Sequence, residues 1–394
     1  MISEKMIMLG KKRSVIREIF EYAKKRSNEI GRENIYDFSL GNPNVPAPSC
    51  INESIVKCIK NEDPVLLHGY TSAQGDLNVR NIISENINQK FGTVLTADNI
   101  YITVGAAASL TISINAIALP DDEFIVFTPF FPEYKIWVEA AGAKTVPVAS
   151  DQDTFQVDIQ KFEKAISVKT KAVIVNSPNN PSGVVLTEDT IQKLCSVMNK
   201  KSLEFGHPIY LISDEPYREL VYGNIKVPYL INYYDNTFIC YSFSKALSVP
   251  GERIGYVVVS NKMENSLDAY AAICGAGRAL GYVCAPSLFQ QIIAKCINET
   301  TDISIYRKNR DLLYEGLTKL GFHCIRPDGA FYLFMKSMEP DANKFCEKAK
   351  KYELLLVPGD DFGSPGFVRI AYCVKTEQII NSLPAFEKLA KEYQ

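Results

Sequence analysis

Lys245 stands in the run Tyr241-Ser242-Phe243-Ser244-Lys245-Ala246-Leu247-Ser248-Val249-Pro250-Gly251-Glu252-Arg253-Ile254-Gly255. It falls in a short polar turn directly after a β-rich run, Thr237 to Tyr241, which is not the usual place of a surface lysine. Ser242 and Ser244 flank it, and Arg253 follows eight positions later. An amine, nearby hydroxyls and a guanidinium are together suited to holding a phosphorylated aldehyde as a Schiff base. The lysine forms the imine, and the serines and arginine bind the phosphate.

Four other segments place polar or special residues at the ends of apolar runs. In Thr103-Val104-Gly105-Ala106-Ala107-Ala108-Ser109-Leu110 a strand ends and a helix begins. Small residues there let the backbone approach an anion at a helix start, although an ordinary strand–helix turn looks similar. Thr128-Pro129-Phe130-Phe131-Pro132-Glu133-Tyr134 puts aromatics after a strand, where they either fill a core or offer a flat face for ring stacking. Val175-Asn176-Ser177-Pro178-Asn179-Asn180-Pro181-Ser182-Gly183 is rich in turn formers. Ile212-Ser213-Asp214-Glu215-Pro216-Tyr217 ends an apolar run on a carboxylate, which must find a partner or cap a helix. Arg369 is an odd charge inside Val368-Arg369-Ile370-Ala371, either half of a salt bridge or a ligand-binding group.

Together these segments resemble the class I pyridoxal-phosphate aminotransferases of the fold-type I superfamily, with aspartate aminotransferase as the nearest type. The resemblance runs from about Phe38 to Arg369. It implies pyridoxal 5′-phosphate as cofactor, with Lys245 as its lysine. Gly105, Ala106 and Ala107 would form the phosphate cup together with Ser242, Ser244 and Arg253. Phe131, or alternatively Phe130, would stack on the pyridine ring. Asp214 would pair with the ring nitrogen, and Asn180 and Tyr217 would bond the phenolic oxygen from opposite sides. The motif around Asn180 resembles Asn-Pro-x-Asn-Pro-x-Gly, although Asn-Ser-Pro replaces the first Asn-Pro. Arg369 would fork onto the substrate α-carboxylate, with Asn180 and the Gly41 backbone beside it. Tyr70, in Gly69-Tyr70-Thr71-Ser72-Ala73-Gln74-Gly75, would reach the phosphate of a neighbouring subunit, which implies a homodimer with shared active sites. Arg278, in Cys274-Gly275-Ala276-Gly277-Arg278-Ala279-Leu280-Gly281-Tyr282, lies roughly where aspartate aminotransferases carry an arginine for the distal carboxylate. A surface or interface arginine in a Gly-rich loop is the alternative.

The elements that must position these residues follow from periodicity. Val15 to Ile30 predicts an amphipathic helix with Val15, Ile16, Ile19, Phe20 and Ala23 on one stripe. A Pro/Gly/Asn-rich bend follows at residues 40–48. Seven strands are predicted at Ile100–Val104, Phe124–Thr128, Lys144–Val148, Ala172–Asn176, Ile209–Ser213, Thr237–Ser242 and Gly255–Ser260. Near-continuous apolar runs such as Ala172-Val173-Ile174-Val175 fit strands covered on both faces. The expected fold is α/β, with a mostly parallel seven-stranded sheet flanked by helices and a smaller α/β domain. Residues 1–45 form an N-terminal arm and part of the small domain, 46–285 the large cofactor domain, and 286–394 the small C-terminal domain. A helix at Ile303–Leu320, the run Phe331–Met335, a helix at Ala342–Tyr352 and the strand Phe367–Ala371 build the latter.

Composition bounds the function. Of the 394 residues 46% are hydrophobic and 22% charged, and the formal net charge is −2, so nothing favours a nucleic-acid partner. No apolar run reaches the ~20 residues of a membrane span, and Met1–Gly10 lacks a signal-peptide pattern. The ten cysteines are scattered without a Cys-x-x-Cys pair, and the chain has three histidines, which argues against a disulfide framework or metal site and for a reducing cytoplasm. The resulting expectation is an aminotransferase that moves an amino group from an L-amino acid, aspartate first, to a 2-oxo acid such as 2-oxoglutarate. Two alternatives are a C–S β-lyase of the same fold and a non-catalytic cofactor-binding regulatory module. The latter is disfavoured because the first 40 residues carry no helix-turn-helix pair.

Overall fold

A computed structural model describes residues 2–11 and 15–394; Met1 and residues 12–14, part of the expected N-terminal arm, lie outside the described residues. The strands, in chain order, are β1 (Tyr36–Asp37), β2 (Ile100–Thr103), β3 (Glu123–Thr128), β4 (Lys144–Ala149), β5 (Thr170–Asn176), β6 (Tyr210–Asp214), β7 (Thr237–Ser242), β8 (Gly255–Val259), β9 (Tyr332–Lys336), β10 (Leu354–Leu355), β11 (Val357–Pro358) and β12 (Phe367–Ala371).

Seven of them form one sheet in the order β2-β8-β7-β6-β5-β3-β4. The pairs β4–β3, β3–β5, β5–β6 and β6–β7 are parallel, and β8 runs antiparallel to both β7 and β2. The central strands read as unbroken apolar runs because helices cover both faces: Ala172, Val173, Ile174 and Val175 of β5 are all buried. β4 is an edge strand with exposed positions, which is why Pro147, lacking an N–H, is tolerated there. The seven expected strands are all present with small shifts of boundary. β6 extends one residue beyond expectation because Asp214 pairs with Asn176 on one side and Cys240 on the other. A polar residue thereby stays in the ladder.

Parallel strands bring their carboxyl ends to one edge. The register aligns Asn176, Asp214 and Cys240 there, and then Ser242, Gly255 and Thr103. Ligands of open α/β sheets bind along this edge.

A second layer faces it. β11, β12 and β9 form an antiparallel sheet, and β1 pairs in parallel with β10, so the segment before Gly41 is hydrogen-bonded to the C-terminal third of the chain. The helix Val15–Ile30 buries Ile19 and Ala23 against Ile35, Leu355, Val357 and Phe362. Phe20, expected on that stripe, is 41% exposed. Each helical residue turns by about 100°, so the position after Ile19 falls at the margin of a narrow stripe. The helix Ser287–Lys295 packs Ile292 and Ile293 into the core beneath the seven-stranded sheet, and Gln290 Oε1 accepts from the Asp76 amide. Among the described residues no helix is long and apolar enough to cross a membrane.

Candidate active site

Lys245 lies on the one-turn helix Phe243–Ala246 that follows β7. The Ser242 hydroxyl caps this turn by accepting from the Ser244 amide, which fixes where the lysine leaves the backbone. Lys245 Nζ donates to the Gly41 carbonyl at 2.8 Å and lies 5.4 Å from the centre of the Phe331 ring. Burial pushes its pKa down to about 8, and the positive charges of Arg253 and Arg369 act in the same direction, against the opposing influence of Cys373. At pH 7 about a tenth of this amine is therefore neutral and able to attack a carbonyl, against well under a hundredth for an ordinary lysine. In the apoenzyme, the rate of imine formation with added pyridoxal phosphate, followed by absorbance, is expected to rise with pH through a midpoint near 8. A midpoint above 10, the ordinary range of lysine, would place the amine in solvent instead.

Asp214 ends β6 and is 5% exposed. Its Oδ2 accepts from the Tyr134 hydroxyl, and Asn176 Nδ2 donates to its backbone carbonyl at 2.9 Å. Its Oδ1 is buried without a hydrogen-bond partner. Burial pushes this carboxyl up to about 7, partly offset by the Tyr134 bond and reinforced by Glu215. The helix-cap alternative does not hold, because the chain after Asp214 forms a turn rather than a helix. A buried carboxylate oxygen with nothing bonded to it is costly and marks a place for a donor.

At the other end of the edge, Gly105 precedes the twelve-residue helix Ala106–Ile117 with φ 94°, a conformation open to glycine, and no side chain caps that helix start. A Cβ on Gly105 would come within 2.6 Å of Arg253 Nη2, so the missing side chain is what lets the guanidinium approach the helix N-terminus. Ser242 Oγ and Ser244 Oγ are 2.7 Å apart in the same row. Free N–H groups at the start of the helix, two hydroxyls and a guanidinium constitute an anion cradle.

Arg369 on β12 is 2% exposed. Its guanidinium lies 4.8 Å from the centre of the Tyr332 ring and 5.0 Å from that of Phe362. It donates to Asn180 Oδ1 at 3.2 Å and to the Ser39 carbonyl, while its Nε has no partner. Burial lowers its pKa. The salt-bridge alternative fails, because among the described residues no carboxylate pairs with it. Asn180, with its Oδ1 taken by Arg369, keeps Nδ2 to donate. The Tyr217 hydroxyl is 3.0 Å from that of Tyr332.

Phe131 meets Tyr134 edge-on at 5.7 Å, close to the tyrosine that bonds Asp214. Phe130 instead ties to the small sheet region: its amide donates to the Phe362 carbonyl, and its ring lies against Gly363. Tyr70 is 91% exposed, although Thr71 beside it is held by Gln290 at 3.1 Å. Arg278 is exposed in the last turn of the helix Ser266–Ala279. The expected Gly-rich loop is therefore helical through Ala279 and turns only beyond it, at Leu280 and at Gly281 with φ 80°. Gly277 is buried in that helix and packs closely against the Tyr101 hydroxyl, which explains a glycine there without a loop. Among the described residues no hydrogen bond or ion pair joins Arg278 to the groups around Lys245.

Several site residues escaped sequence reasoning. Asn176 ends β5 as Asp214 ends β6, a signal that could have been used. Tyr134 lies within the segment Thr128–Tyr134, but its reach to Asp214 depends on two distant strands. Tyr332 and Cys373 gave no local signal. Cys373 Sγ donates to the Leu40 carbonyl at 3.5 Å, and burial pushes the thiol up to about 12, so it is neutral beside Lys245.

The sequence pattern of class I and II aminotransferases matches residues 33–385. The chain belongs to that family. An amino transferase structure from Eubacterium rectale is 56% identical, with TM-score 0.98, over 100% of this chain and 99% of that one. An aspartate aminotransferase from Thermotoga maritima is 29% identical over 90% of this chain and 91% of its own length. An aspartate/prephenate aminotransferase from Thermus thermophilus is 29% identical over 92% of this chain and 93% of its own.

The cofactor of this aminotransferase is pyridoxal 5′-phosphate, as for its family. The residues present fit that group. The orphaned Asp214 Oδ1 needs a donor, which a protonated ring nitrogen is. The cradle at Gly105 and Arg253 suits a phosphate. The Lys245 amine suits an aldehyde.

Proposed function

We propose that this aminotransferase takes aspartate as its leading amino donor and passes the amino group to a 2-oxo acid such as 2-oxoglutarate. One observation supports the site assignment most: a lysine amine with pKa lowered to about 8 shares the strand-end edge with a buried orphan carboxylate and an anion cradle, and feels a buried arginine that pairs with no carboxylate among the described residues. Bound there, the cofactor would supply an aldehyde for Lys245 and an electron-withdrawing ring for charge at the substrate α-carbon.

In this reading Arg369 and the Gly41 backbone hold the α-carboxylate, and Asn180 assists through its bond to Arg369. The α-hydrogen is thereby aimed at Lys245. With the cofactor bound, Lys245 would be placed to move the proton from the substrate α-carbon, as base and then acid. Asp214 would keep the ring nitrogen protonated, Asn180 and Tyr217 would donate to the phenolic oxygen, and Phe131 would offer a face to the ring. Gly105, Ala106, Ala107, Ser242, Ser244 and Arg253 would bind the phosphate.

Tyr70 of a second copy of the chain would complete the phosphate site in a homodimer. The exposure of Val65 and Leu66, a few residues before Tyr70 in the chain, supports a covering partner, since exposed apolar side chains favour association. We place the enzyme in the cytoplasm, on the scattered unpaired cysteines. We keep residues 46–285 as the cofactor domain and extend it through the helix Ser287–Lys295, flanked by an N-terminal arm and a C-terminal small domain.

The test is a panel of amino acids added to holoenzyme, scoring which of them convert the visible absorbance of the lysine-bound cofactor to that of its amino form. Aspartate should be among the fastest; failure with aspartate removes the dicarboxylate reading, and pyruvate with ammonia from cystathionine would favour the lyase. If Arg278 of a second copy binds the distal carboxylate, Arg278→Ala should lower kcat/KM for aspartate roughly 30–5000-fold, the effect of about 2–5 kcal/mol for a desolvated pair. Activity with alanine should be nearly unchanged. Equal losses on both donors would make Arg278 structural.

A further inference from the structure

Tyr332 touches three parts of the site at once: Arg369, Tyr217 and Gly41. It opens β9, diagonally across the β9–β12 ladder from Arg369, which pairs with Phe334 while Tyr332 pairs with Ala371. Its ring lies under the Arg369 guanidinium at 4.8 Å. Its hydroxyl is 3.0 Å from the Tyr217 hydroxyl. A Cβ on Gly41 would overlap the same hydroxyl, so the glycine whose carbonyl accepts from Lys245 is also the residue that makes room for it. The residue is 3% exposed and is surrounded by Tyr217 from the turn after β6, Arg369 from β12, Cys373 just beyond β12, and the tilted Phe331 ring at 5.0 Å.

We propose that Tyr332 is a positioning residue that donates its hydroxyl proton to Tyr217, so that Tyr217 spends its own proton on the cofactor's phenolic oxygen, while its ring holds Arg369 flat for the substrate carboxylate. The inference rests on the assignment of Tyr217 above. Two hydroxyls in contact can share one bond in either direction. Only the direction Tyr332 to Tyr217 leaves the Tyr217 proton for a ligand, and a donor that itself accepts a bond is a stronger donor. Arg369 acts on both phenols but lies directly over the Tyr332 ring and not over Tyr217, so it stabilises negative charge developing on Tyr332 more and makes that hydroxyl the better donor. The two halves of Tyr332 thus have separable duties. The hydroxyl sets the strength of the Tyr217 bond, and the ring sets the place of Arg369.

The experiment uses holoenzymes of Tyr332→Phe, Tyr332→Leu, Tyr217→Phe and the Tyr217→Phe/Tyr332→Phe double variant. Each is titrated by visible absorbance, which reports the protonation of the lysine-bound cofactor without turnover, and assayed for donor KM. A donor at the phenolic oxygen withdraws electron density and lowers that midpoint, so weakening it raises the midpoint. Tyr217→Phe should raise the midpoint most. Tyr332→Phe should raise it by about half a unit, with KM changed less than about twofold. The double variant should match Tyr217→Phe alone, because Tyr332 acts through Tyr217. Tyr332→Leu should in addition raise KM about tenfold or more through loss of the ring under Arg369. If Tyr217→Phe shifts the midpoint and Tyr332→Phe does not, the bridge is overturned while the Tyr217 assignment stands. If Tyr217→Phe itself leaves the midpoint unmoved, both fall. Additive shifts in the double variant would also overturn the proposal, since Tyr332 would then act independently. The folding of each variant is read from its thermal melt, and should Tyr332→Phe not fold, Tyr332→His, which retains a ring and a donor, must leave the midpoint closer to wild type than Tyr332→Leu or the bridge is refuted.

Discussion

Lys245→Ala is expected to abolish transamination, lowering turnover by at least about 10⁴-fold, because one substitution removes both the covalent partner of the aldehyde and the base at the substrate α-carbon. The variant should still bind pyridoxal phosphate. The anion cradle at Gly105, Ser242, Ser244 and Arg253 and the orphan Asp214 Oδ1 do not depend on the lysine side chain. Two measurements check this. Borohydride reduction of wild-type holoenzyme followed by peptide mapping should label Lys245, and equilibrium dialysis of the variant should show cofactor retained but not covalently held. Turnover at the wild-type rate, or a label elsewhere, would sink the assignment. Lys245 leaves a short helix pinned at its start by Ser242, so loss of its Gly41 bond should leave the fold intact.

Asp214→Ala is expected to lower the rate of α-proton removal roughly 30–5000-fold with cofactor bound. That range corresponds to removing one partner of a buried charge pair, about 2–5 kcal/mol. Without the carboxylate the ring nitrogen loses the anion that keeps it protonated, and charge at the α-carbon has nowhere favourable to go. Single-turnover rates with an α-deuterated donor isolate this step. An unchanged rate would mean that Asp214 only anchors Tyr134 and Asn176. The sign of the pH effect in the apoenzyme follows from its raised pKa. With the carboxyl pushed up to about 7, its burial favours the protonated form, so Asp214 should weaken folding of the apoenzyme as pH rises through about 4 to 7. Bound cofactor supplies the missing cation and should remove that penalty, so the gain in stability on loading should be larger at pH 8 than at pH 5.

Much of this was legible in the sequence itself, because the information was local. Seven strands could be found from apolar runs such as Ala172-Val173-Ile174-Val175, since burial on both faces leaves no polar alternation. The candidate residues Gly105, Asp214 and Lys245 stood at the ends of those runs, and Asn180 in the turn beyond one, where parallel strands must deliver them to one edge. Even Arg369 announced itself as a charge inside an apolar strand. Tertiary structure alone decided which strands are neighbours, and that β8 turns antiparallel between β7 and β2 to set Gly255 beside Ser242 and Thr103. It alone brought Tyr134 to Asp214, Cys373 to Leu40, and Tyr332 under Arg369 and against Tyr217. These contacts join residues distant in the chain, so neither periodicity nor turn chemistry records them. The Arg278 segment makes the converse point: its glycines read as a loop, but the chain stays helical to Ala279, and Gly277 is there to make room for Tyr101. A glycine's sequence context cannot distinguish the need for a turn from the need for space, because the second is set by a neighbour that only the fold supplies.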